Sequence, residues 1–309
     1  MDVSSSLEIN LETLIERASD RAAMSAPTLE FEHLDTLWIQ VTGTLCNLAC
    51  LHCFISCGPL NDSHPVMTKE EVFQALGDAS AYSPREIYYT GGEPFMHPDF
   101  REIIERSLEL GPVSVLTNGL LIDDDLAAWL GETFRQSRYS LDIRVSLDGT
   151  TAEENDAIRG RKTFEQILAA VDRLWSQGVN PVITVTTCHA DLGGEGGRQR
   201  FIDLLRARGI TKPRMKFLSP FKIGREERRD EGYQAYERLV EGDLLSGEEH
   251  DLQCSSCRMV TAKGVYPCPI LIEVEEARMG DRLSDALHAI ELDHPACWTC
   301  HVEGVSCRT

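Results

Sequence analysis

Three cysteines in one short stretch carry the clearest chemistry of the sequence. Cys46, Cys50 and Cys53 have a C-x3-C-x2-C spacing. Three thiolates cannot fill the four iron corners of a [4Fe–4S] cube, so they hold three irons and leave the fourth open for a substrate or cofactor. A set of buried structural cysteines is the alternative. With 11 cysteines in 309 residues, this triple arises by chance in only about one in a hundred such chains.

A second motif lies at the end of an apolar segment, Ile-Tyr-Tyr-Thr-Gly-Gly-Glu-Pro at residues 87–94. It reads as a β-strand that ends at Gly91, Gly92 and Glu93. Paired glycines at a strand end let the backbone approach a ligand closely. A carboxylate beside exposed backbone carbonyls can take up an ammonium group through charge-assisted hydrogen bonds. The motif therefore predicts a binding site for a ligand that carries an amino group.

Together the two motifs resemble the radical S-adenosylmethionine (radical SAM) superfamily, and the resemblance covers roughly residues 36–220. It implies that the three motif cysteines hold a [4Fe–4S] cluster and that SAM completes the fourth iron. It also implies that the glycine–glutamate turn, residues 91–93, positions the amino group of SAM.

The resemblance assigns three further contacts to SAM. His52 occupies the aromatic position before the third cysteine, which in the family packs near the adenine. Ser146, at the end of the fourth predicted strand, matches the serine that contacts SAM. Arg159 matches the arginine that meets the SAM carboxylate. An exposed arginine in a salt bridge is the alternative for Arg159.

From residue 35 onward, the sequence alternates strands and helices that are joined by short connections. The strands are predicted at 37–41, 86–90, 113–117, 142–147, 181–187 and 214–218, and the helices at 68 onward, 98–110, 123–134, 163–177 and 198–207. Such repeats predict a parallel sheet with right-handed crossovers, either an open doubly wound sheet or a barrel. All the motifs follow carboxyl ends of strands, where barrel active sites are assembled. The resemblance implies an α/β fold that satisfies both observations, the partial (β/α)6 TIM barrel of the superfamily, followed by a small cysteine-rich domain.

Four regions are predicted along the chain. Residues 1–34 are an N-terminal helical extension, with an apolar helical face at residues 7–15. The barrel spans 35–222. A helical connector follows at 223–250, with a solvated charge run at 226–232 and a helix at 233–245. Residues 251–309 form the auxiliary-cluster domain. The glycine-rich residues 188–197 are predicted to be a mobile loop, with a lid over the barrel as the alternative.

Six cysteines lie in the last part of the chain: Cys254, Cys257, Cys268, Cys297, Cys300 and Cys307. Two C-x2-C pairs bracket a predicted β-hairpin with its turn at residues 263–264. Either zinc or an iron–sulfur cluster uses four such thiolates, and spacing leaves both open. The segment Val-Tyr-Pro-Cys at 265–268 is similar to the start of the SPASM and twitch domains of radical SAM enzymes. This resemblance implies one auxiliary [4Fe–4S] cluster drawn from the six cysteines, while a second cluster lacks its later C-x3-C step.

Composition excludes several classes of partner. The formal net charge of −20 argues against nucleic acid, which needs a basic surface, and against an anionic membrane. The acidic N-terminus has no signal-peptide pattern, and there is no run of 18 apolar residues. We therefore expect a cytoplasmic protein, in which clustered cysteines serve as metal ligands.

The resemblance also implies the reaction class. One electron from the cluster splits SAM into methionine and a 5′-deoxyadenosyl radical, which abstracts a hydrogen atom from the substrate. We expect a two-electron oxidation with the auxiliary cluster as acceptor, as in the SAM-dependent 2-deoxy-scyllo-inosamine dehydrogenase. The alternatives are crosslink or thioether formation in a peptide, a MoaA-like rearrangement of GTP, which the Ser-Cys-Arg-Thr ending disfavours, and a non-catalytic iron–sulfur carrier. The expected partners are an electron donor such as flavodoxin or ferredoxin and a small-molecule or peptide substrate.

Overall fold

The computed structural model of the protein describes residue 21, residues 24–244 and residues 252–304. Ten β-strands lie in this part of the chain. They are β1 (Thr28–Leu29), β2 (Thr36–Gln40), β3 (Glu86–Thr90), β4 (Val113–Thr117), β5 (Leu141–Ser146), β6 (Val182–Thr186), β7 (Arg214–Leu218), β8 (Cys257–Thr261), β9 (Gly264–Tyr266) and β10 (Ile290–Glu291).

Eight of these strands form one sheet in the order β7-β6-β5-β4-β3-β2-β8-β9. Strands β2 to β8 pair in parallel, and β9 turns back antiparallel to β8. Among the described strands, β7 and β9 stand at the two edges and do not pair with each other. The predicted partial barrel is thereby confirmed, with six strands within a residue or two of their predicted positions.

Eight α-helices connect or flank the strands. They are α1 (Lys69–Ser80), α2 (Phe100–Ser107), α3 (Asp124–Gln136), α4 (Ala152–Arg159), α5 (Thr163–Ser176), α6 (Gly194–Ala207), α7 (Arg225–Arg229) and α8 (Ala296–Val302). The predicted start of α1 is confirmed, because Thr68 and Glu71 form a reciprocal capping box. Helix α4 has a second capping box, between Thr151 and Glu154, and was not predicted.

The two faces of the strands differ in character because side chains alternate along a strand. One face packs against the helices and is apolar, as at Ile39 and Ile143, both fully buried. The other face lines the barrel interior and carries polar and charged groups. There, Trp38 stacks on Tyr88 with ring centroids 4.3 Å apart, and Arg144 donates to the Tyr88 hydroxyl at 2.9 Å. The inward face is therefore where polar chemistry is available.

The glycine-rich segment at 188–197 differs from its prediction as a mobile loop. It contains a short 3-10 turn at Ala190–Leu192, and α6 already begins at Gly194. A Cβ at Gly197 would lie 2.1 Å from the Leu192 carbonyl oxygen, so the helix packs directly on the turn. Tight helix packing, rather than flexibility, explains the glycine at position 197.

The predicted helix in the connector is wrong over the part that the structure describes. Residues 233–244 form turns rather than the predicted helix. Local bonds compete with helical ones, because Asp243 accepts from the Val240 N–H at 2.9 Å and Glu237 accepts from the Gln234 N–H at 2.7 Å. The charge run at 226–232 is exposed at residues 227–231, as predicted, but Glu226 is fully buried and pairs with Arg229. The predicted N-terminal helical face at residues 7–15 lies outside the described residues.

The cysteine-rich region is joined to the barrel through the main sheet. The predicted hairpin is present as β8 and β9, and β8 lies beside β2 with Thr36 opposite Cys257. A separate two-stranded sheet pairs β1 with β10, so the segment before the barrel also holds the region after it. The predicted domain boundaries remain a prediction, but the barrel and the hairpin share one sheet.

Candidate active site

A cavity of about 210 Å³ lies at the carboxyl ends of the barrel strands. Several of the side chains predicted from the sequence line it together. They are Cys46, Cys50, His52, Cys53, Gly91, Gly92, Ser146 and Arg159. Parallel strands that end at one edge bring together residues that are more than a hundred positions apart in the chain.

The cysteine loop, residues 44–58, is closed at its ends by backbone hydrogen bonds. Gly58 donates to the Thr44 carbonyl at 3.1 Å, and the Cys46 N–H donates to the Gly58 carbonyl at 3.2 Å. Within the loop, sulfur atoms accept N–H groups. Leu48 donates to the Cys46 Sγ at 3.4 Å, and Cys57 donates to the Cys53 Sγ at 3.3 Å. Such donors stabilise thiolates, the form in which cysteine binds metal.

The pKa values of the three thiols depart from the ordinary value in different directions. Burial raises the pKa of Cys46 to about 12 and also raises that of Cys50. The pKa of Cys53 is lowered, chiefly by its interaction with the Cys57 thiol. Buried thiols with raised pKa values lose their protons when a metal replaces them. The donor set therefore fits an iron–sulfur cluster.

The glycine turn packs directly against the cysteine loop. A Cβ at Gly92 would lie 2.0 Å from the Leu45 carbonyl oxygen, and a Cβ at Gly91 would lie 2.3 Å from Thr42 Oγ1. Gly91 also has a φ of +147°, in a region that L side chains rarely adopt. Both glycines are thus required for the close approach of the two segments, and their backbone is left to face the cavity.

Glu93 lies behind this turn and does not line the cavity. Its side chain is fully buried and accepts hydrogen bonds from Thr117 Oγ1 and the Asn118 N–H, both at 2.7 Å, and from the Phe95 N–H at 3.2 Å. Burial raises the pKa of Glu93 to about 7 despite these donors. The carboxylate therefore joins the ends of β3 and β4, and its predicted contact with an amino group stays a prediction.

Asp148, which was not predicted as a site residue, lies buried behind His52 and Arg159 of the cavity wall. Its carboxylate lies 2.6 Å from His52 Nε2 and 2.7 Å from Arg159 Nε, and it accepts the Thr186 N–H at 2.8 Å. Burial alone would raise the pKa of Asp148, but Arg159 and His52 outweigh it and hold the pKa at about 2. Asp148 thus links the cysteine loop, α4 and β6. Its position after a strand end, in Ser-Leu-Asp-Gly, was the available signal.

Arg159 is a buried residue of the cavity wall, not an exposed salt-bridge arginine. It is 7% exposed and neutralised on one side by Asp148. Ser146 faces the interior from the end of β5, opposite Thr184. A fully buried carboxylate that orients a guanidinium at a cavity gives a site for a carboxylate-bearing ligand. The donor set, the glycine cradle and this guanidinium together fit a cluster with bound SAM.

A second, smaller cavity of about 40 Å³ is lined by four of the C-terminal cysteines, namely Cys254, Cys268, Cys297 and Cys300. Cys254 lies on a 3-10 turn at Gln253–Ser255, and Cys268 follows β9. Cys297 and Cys300 are one turn apart on α8, which places them on one face. The remaining lining is mostly aliphatic, as at Leu252 and Ile270. Four thiols in an apolar pocket are the donors that an iron–sulfur cluster uses.

Cys257 does not line this cavity. Cys257 is fully buried in the barrel interior beside Trp38 and Met259, and its Sγ donates to the Pro267 carbonyl at 3.3 Å. Cys307 lies outside the described residues. Cys257 packs in the same apolar cluster as Cys268, but four other cysteines line the small cavity.

The ten cysteines in the described residues form no disulfide. Within residues 24–244 and 252–304, no group of three or more His, Cys, Asp and Glu residues is arranged around a single metal ion. No helix in the described part of the chain is long and apolar enough to cross a membrane.

Arg225 is a residue of the site that the sequence analysis missed. It lines the main cavity and donates hydrogen bonds to the cysteine loop from α7, across about 170 residues of chain. The sequence carries no local signal for this contact, because only the folded barrel brings the end of β7 back to the loop.

The chain is similar to several characterised families. The family model of the radical SAM superfamily matches residues 41–207, more than half of the chain. The mycofactocin maturase MftC of Mycobacterium ulcerans (strain Agy99) is 34% identical over 157 residues, which are 48% of this chain and 40% of that protein. The GTP 3′,8-cyclase of Chlorobaculum tepidum is 30% identical over 198 residues, 61% of this chain and 54% of that protein. The chain therefore spans about half the length of these curated relatives, or less.

Among solved structures, native anSMEcpe with bound AdoMet superposes with a TM-score of 0.59 at 18% identity, covering 81% of this chain and 79% of that one. A related structure of anSMEcpe with bound AdoMet and a peptide gives a TM-score of 0.58 over the same shares. These likenesses concern the fold. The family match, which extends through the cysteine loop and the glycine turn, establishes that this chain belongs to the radical SAM superfamily.

Proposed function

We propose that this radical SAM enzyme removes two electrons from its substrate, and that its second cysteine set holds the electron acceptor. The observation that carries the proposal is the pair of cysteine-lined cavities. One is lined by Cys46, Cys50 and Cys53, and the other by four cysteines near the C-terminus. An oxidation that starts with hydrogen-atom removal needs a place for the second electron, and a second cluster provides one.

Members of the superfamily bind a [4Fe–4S] cluster and SAM. When bound, the first cluster and SAM supply hydrogen-atom abstraction, and an auxiliary cluster supplies one-electron acceptance. We assign the first cluster to the cysteine loop and one auxiliary cluster to the four cysteines of the smaller cavity, Cys254, Cys268, Cys297 and Cys300. This assignment leaves Cys257 as a core residue.

The protein's own groups would bind and orient SAM. The backbone of Gly91 and Gly92 faces the cavity because no side chain fits there. Arg159 presents a guanidinium that Asp148 holds from behind at 2.7 Å. Ser146 adds a hydroxyl at the end of β5. We therefore assign the SAM amino group to the glycine turn and its carboxylate to Arg159, with His52 near the adenine.

An apolar layer separates the two cysteine sets. Phe54 directly follows Cys53, and its ring lies 5.8 Å from that of Phe221 in an edge-to-face contact. Phe221 packs in the same apolar cluster as Cys268 and Cys300. Such packing excludes water between the sites, which protects a reactive radical and strengthens local electrostatics.

A peptide is the second candidate for the substrate. The relatives at 34–35% identity are named mycofactocin maturases, and a solved structure of the same fold is described with a bound peptide. A peptide substrate is compatible with a two-electron oxidation, since a peptide side chain or terminus can lose two electrons. A small molecule is the alternative, and an electron donor of the flavodoxin or ferredoxin type completes the proposed partners.

Iron counting on anaerobically purified protein tests the two-cluster proposal. Each intact cluster contributes about four irons. We expect about eight in the wild type and about four in the Cys46/Cys50/Cys53→Ala variant. A Cys254/Cys268/Cys297/Cys300→Ala variant should also retain about four and still cleave SAM under reducing conditions. Cys257→Ala, the matched control, should retain about eight.

Each result bears on a separate part of the proposal. If Cys257→Ala loses about four irons and Cys254→Ala loses none, the auxiliary ligand set is wrong. If the four-cysteine variant keeps the full iron content of the wild type, there is no auxiliary cluster and the acceptor is missing. If the wild type does not cleave SAM, the protein is an iron–sulfur carrier rather than an enzyme.

A further inference from the structure

Arg225, at the first position of α7, fastens the cysteine loop to the segment that follows β7. Its Nε, Nη1 and Nη2 atoms donate to the carbonyl oxygens of Cys50, Ser56 and Cys57 at 2.7, 2.8 and 2.5 Å. Its backbone N–H donates to the Cys53 carbonyl at 3.1 Å. One residue therefore holds four separate carbonyls of the loop. A planar guanidinium suits this task because its donors have a fixed fork geometry.

The backbone before Arg225 is shaped for the same contact. Gly224 has a φ of +62°, and a Cβ there would lie 2.3 Å from the Phe54 carbonyl oxygen. On the other side of the contact, Ser56 has a φ of +51°, which is uncommon for a residue other than glycine. Such a conformation persists when surrounding contacts enforce it. The Gly224–Arg225 pair supplies one of those contacts, through the bond to the Ser56 carbonyl.

The charge of Arg225 is not cancelled within the described residues. The partners of its guanidinium there are carbonyl oxygens, and none is a carboxylate. Arg159, the other guanidinium of the cavity wall, has Asp148 at 2.7 Å. Arg225 lines the same cavity as the three motif cysteines. A half-buried, unneutralised cation beside a thiolate-bound cluster is placed to compensate its negative charge.

We propose that Arg225 is a positioning residue for the first cluster, and that its charge makes one-electron reduction of this cluster easier. The inference rests on the proposed function, in which Cys46, Cys50 and Cys53 hold that cluster. Net charge and hydrogen bonding around a cluster set its reduction potential. Reduction adds one negative charge, so a fixed cation nearby stabilises the reduced state. Substitution can separate the hydrogen-bonding geometry of the guanidinium from its charge, since lysine keeps the positive charge but not the forked arrangement of donors.

The test compares Arg225→Gln, Arg225→Lys and the control Arg228→Gln in the anaerobically purified, iron-loaded full chain. Arg228 is exposed on the same helix, so its substitution changes the net charge equally. The cluster is reduced stepwise with dithionite, a one-electron donor in its active form. It is followed by the EPR signal that changes on addition of SAM. Hydrogen exchange of the amides in residues 50–58 is measured on the same samples.

For Arg225→Gln we expect a lower potential, with roughly tenfold less reduced cluster at a given applied potential, or ~59 mV for a one-electron couple. Arg225→Lys should keep a near wild-type potential but exchange loop amides faster, as Arg225→Gln does. Arg228→Gln should match the wild type in both the reduction potential and the exchange of the loop amides. If Arg225→Gln and Arg228→Gln give the same potential and the same loop exchange, the proposal is overturned. If Arg225→Gln fails to load iron, Arg225→Lys provides the test. Faster exchange of the loop amides at a near wild-type reduction potential supports the proposal, and exchange equal to that of Arg228→Gln overturns it.

Failure of the proposed function gives a different result. In that case the wild type itself shows no SAM-sensitive EPR signal. A wild type with this signal and an unchanged Arg225→Gln variant contradicts only the role of Arg225.

Discussion

Asp148→Asn should destabilise the protein far more than the same substitution at an exposed ion pair. The carboxylate of Asp148 is fully buried, lies within 2.7 Å of His52 Nε2 and Arg159 Nε, and accepts the Thr186 N–H at 2.8 Å. Its pKa of about 2, against an ordinary 3.8, corresponds to ~2.4 kcal/mol in favour of the charged form at neutral pH. Removing one member of a buried ion pair costs roughly 3–5 kcal/mol. We therefore expect a loss of about 3 kcal/mol.

Thermal unfolding of anaerobically purified protein at pH 7 measures this loss. A cost of about 3 kcal/mol lowers the midpoint by roughly 5 °C in a chain of 309 residues, because the entropy of unfolding grows with chain length. The matched control is Asp125→Asn. Asp125 contacts Arg101 at 2.5 Å, but the two side chains are 79% and 48% exposed, so this pair contributes at most ~1 kcal/mol. Equal midpoints for the two variants would refute the reasoning.

The pH dependence gives a second check with a defined sign. Because the folded-state pKa of Asp148 is depressed, its contribution is present above 3.8 and is lost as pH falls from 3.8 towards 2. The difference between wild type and Asp148→Asn should accordingly shrink over that range. A difference that stays constant below pH 3.8 would mean that lost packing, not charge, sets the cost.

Three further predictions concern the walls of the two sites. Gly92→Ala should abolish iron loading of the cysteine loop, because its Cβ would lie 2.0 Å from the Leu45 carbonyl oxygen; full iron content in the variant would contradict this. Burial raises the pKa of Glu93 to about 7, against an ordinary 4.5. The free energy of unfolding should therefore fall by up to ~3 kcal/mol as pH rises from 4.5 to 7. Denaturation curves of Glu93→Gln should lack this dependence on pH. Arg258→Met should lower the free energy of unfolding in urea by at least about 3 kcal/mol. The reason is that this fully buried guanidinium donates to four carbonyls, including that of Cys254. A loss below about 1 kcal/mol would contradict this prediction.

The barrel and the first site were predictable because each depends on local patterns. Strands alternate apolar and polar faces, and a capping box such as Thr68 with Glu71 marks a helix start within four residues. The cysteine loop and the glycine turn each fit within about a dozen residues. Since every barrel strand ends at the same edge, placing them together needed only the topology.

Two parts that escaped prediction, the auxiliary cysteine set and Arg225, depend on contacts between residues that are distant in sequence, whereas the two errors about helices are local. Which four cysteines share a cavity depends on β8 joining β2, which turns Cys257 inward. The missed helix α4 is short, and the wrongly predicted helix at 233–245 gives way to side-chain bonds from residues such as Asp243. Arg225 has no local signature, because its partners lie in a loop that it meets only after the barrel forms.

The two sites also differ in how they treat buried positive charge, and this difference bears on their roles. At the first site, the carboxylate of Asp148 lies 2.7 Å from Arg159 Nε and neutralises its charge. The guanidinium of Arg225 donates to backbone carbonyls instead, which do not neutralise it. Arg258 does not line the second cavity, but it is fully buried beside it, lies over the Phe31 ring at 4.2 Å and donates to the Cys254 carbonyl. Burial lowers the pKa of Arg258, which signals a cation held away from water at a cost. A negatively charged cluster held by Cys254 and its three partners would offset that cost, so loading the auxiliary site should stabilise the C-terminal region more than its thiol ligation alone.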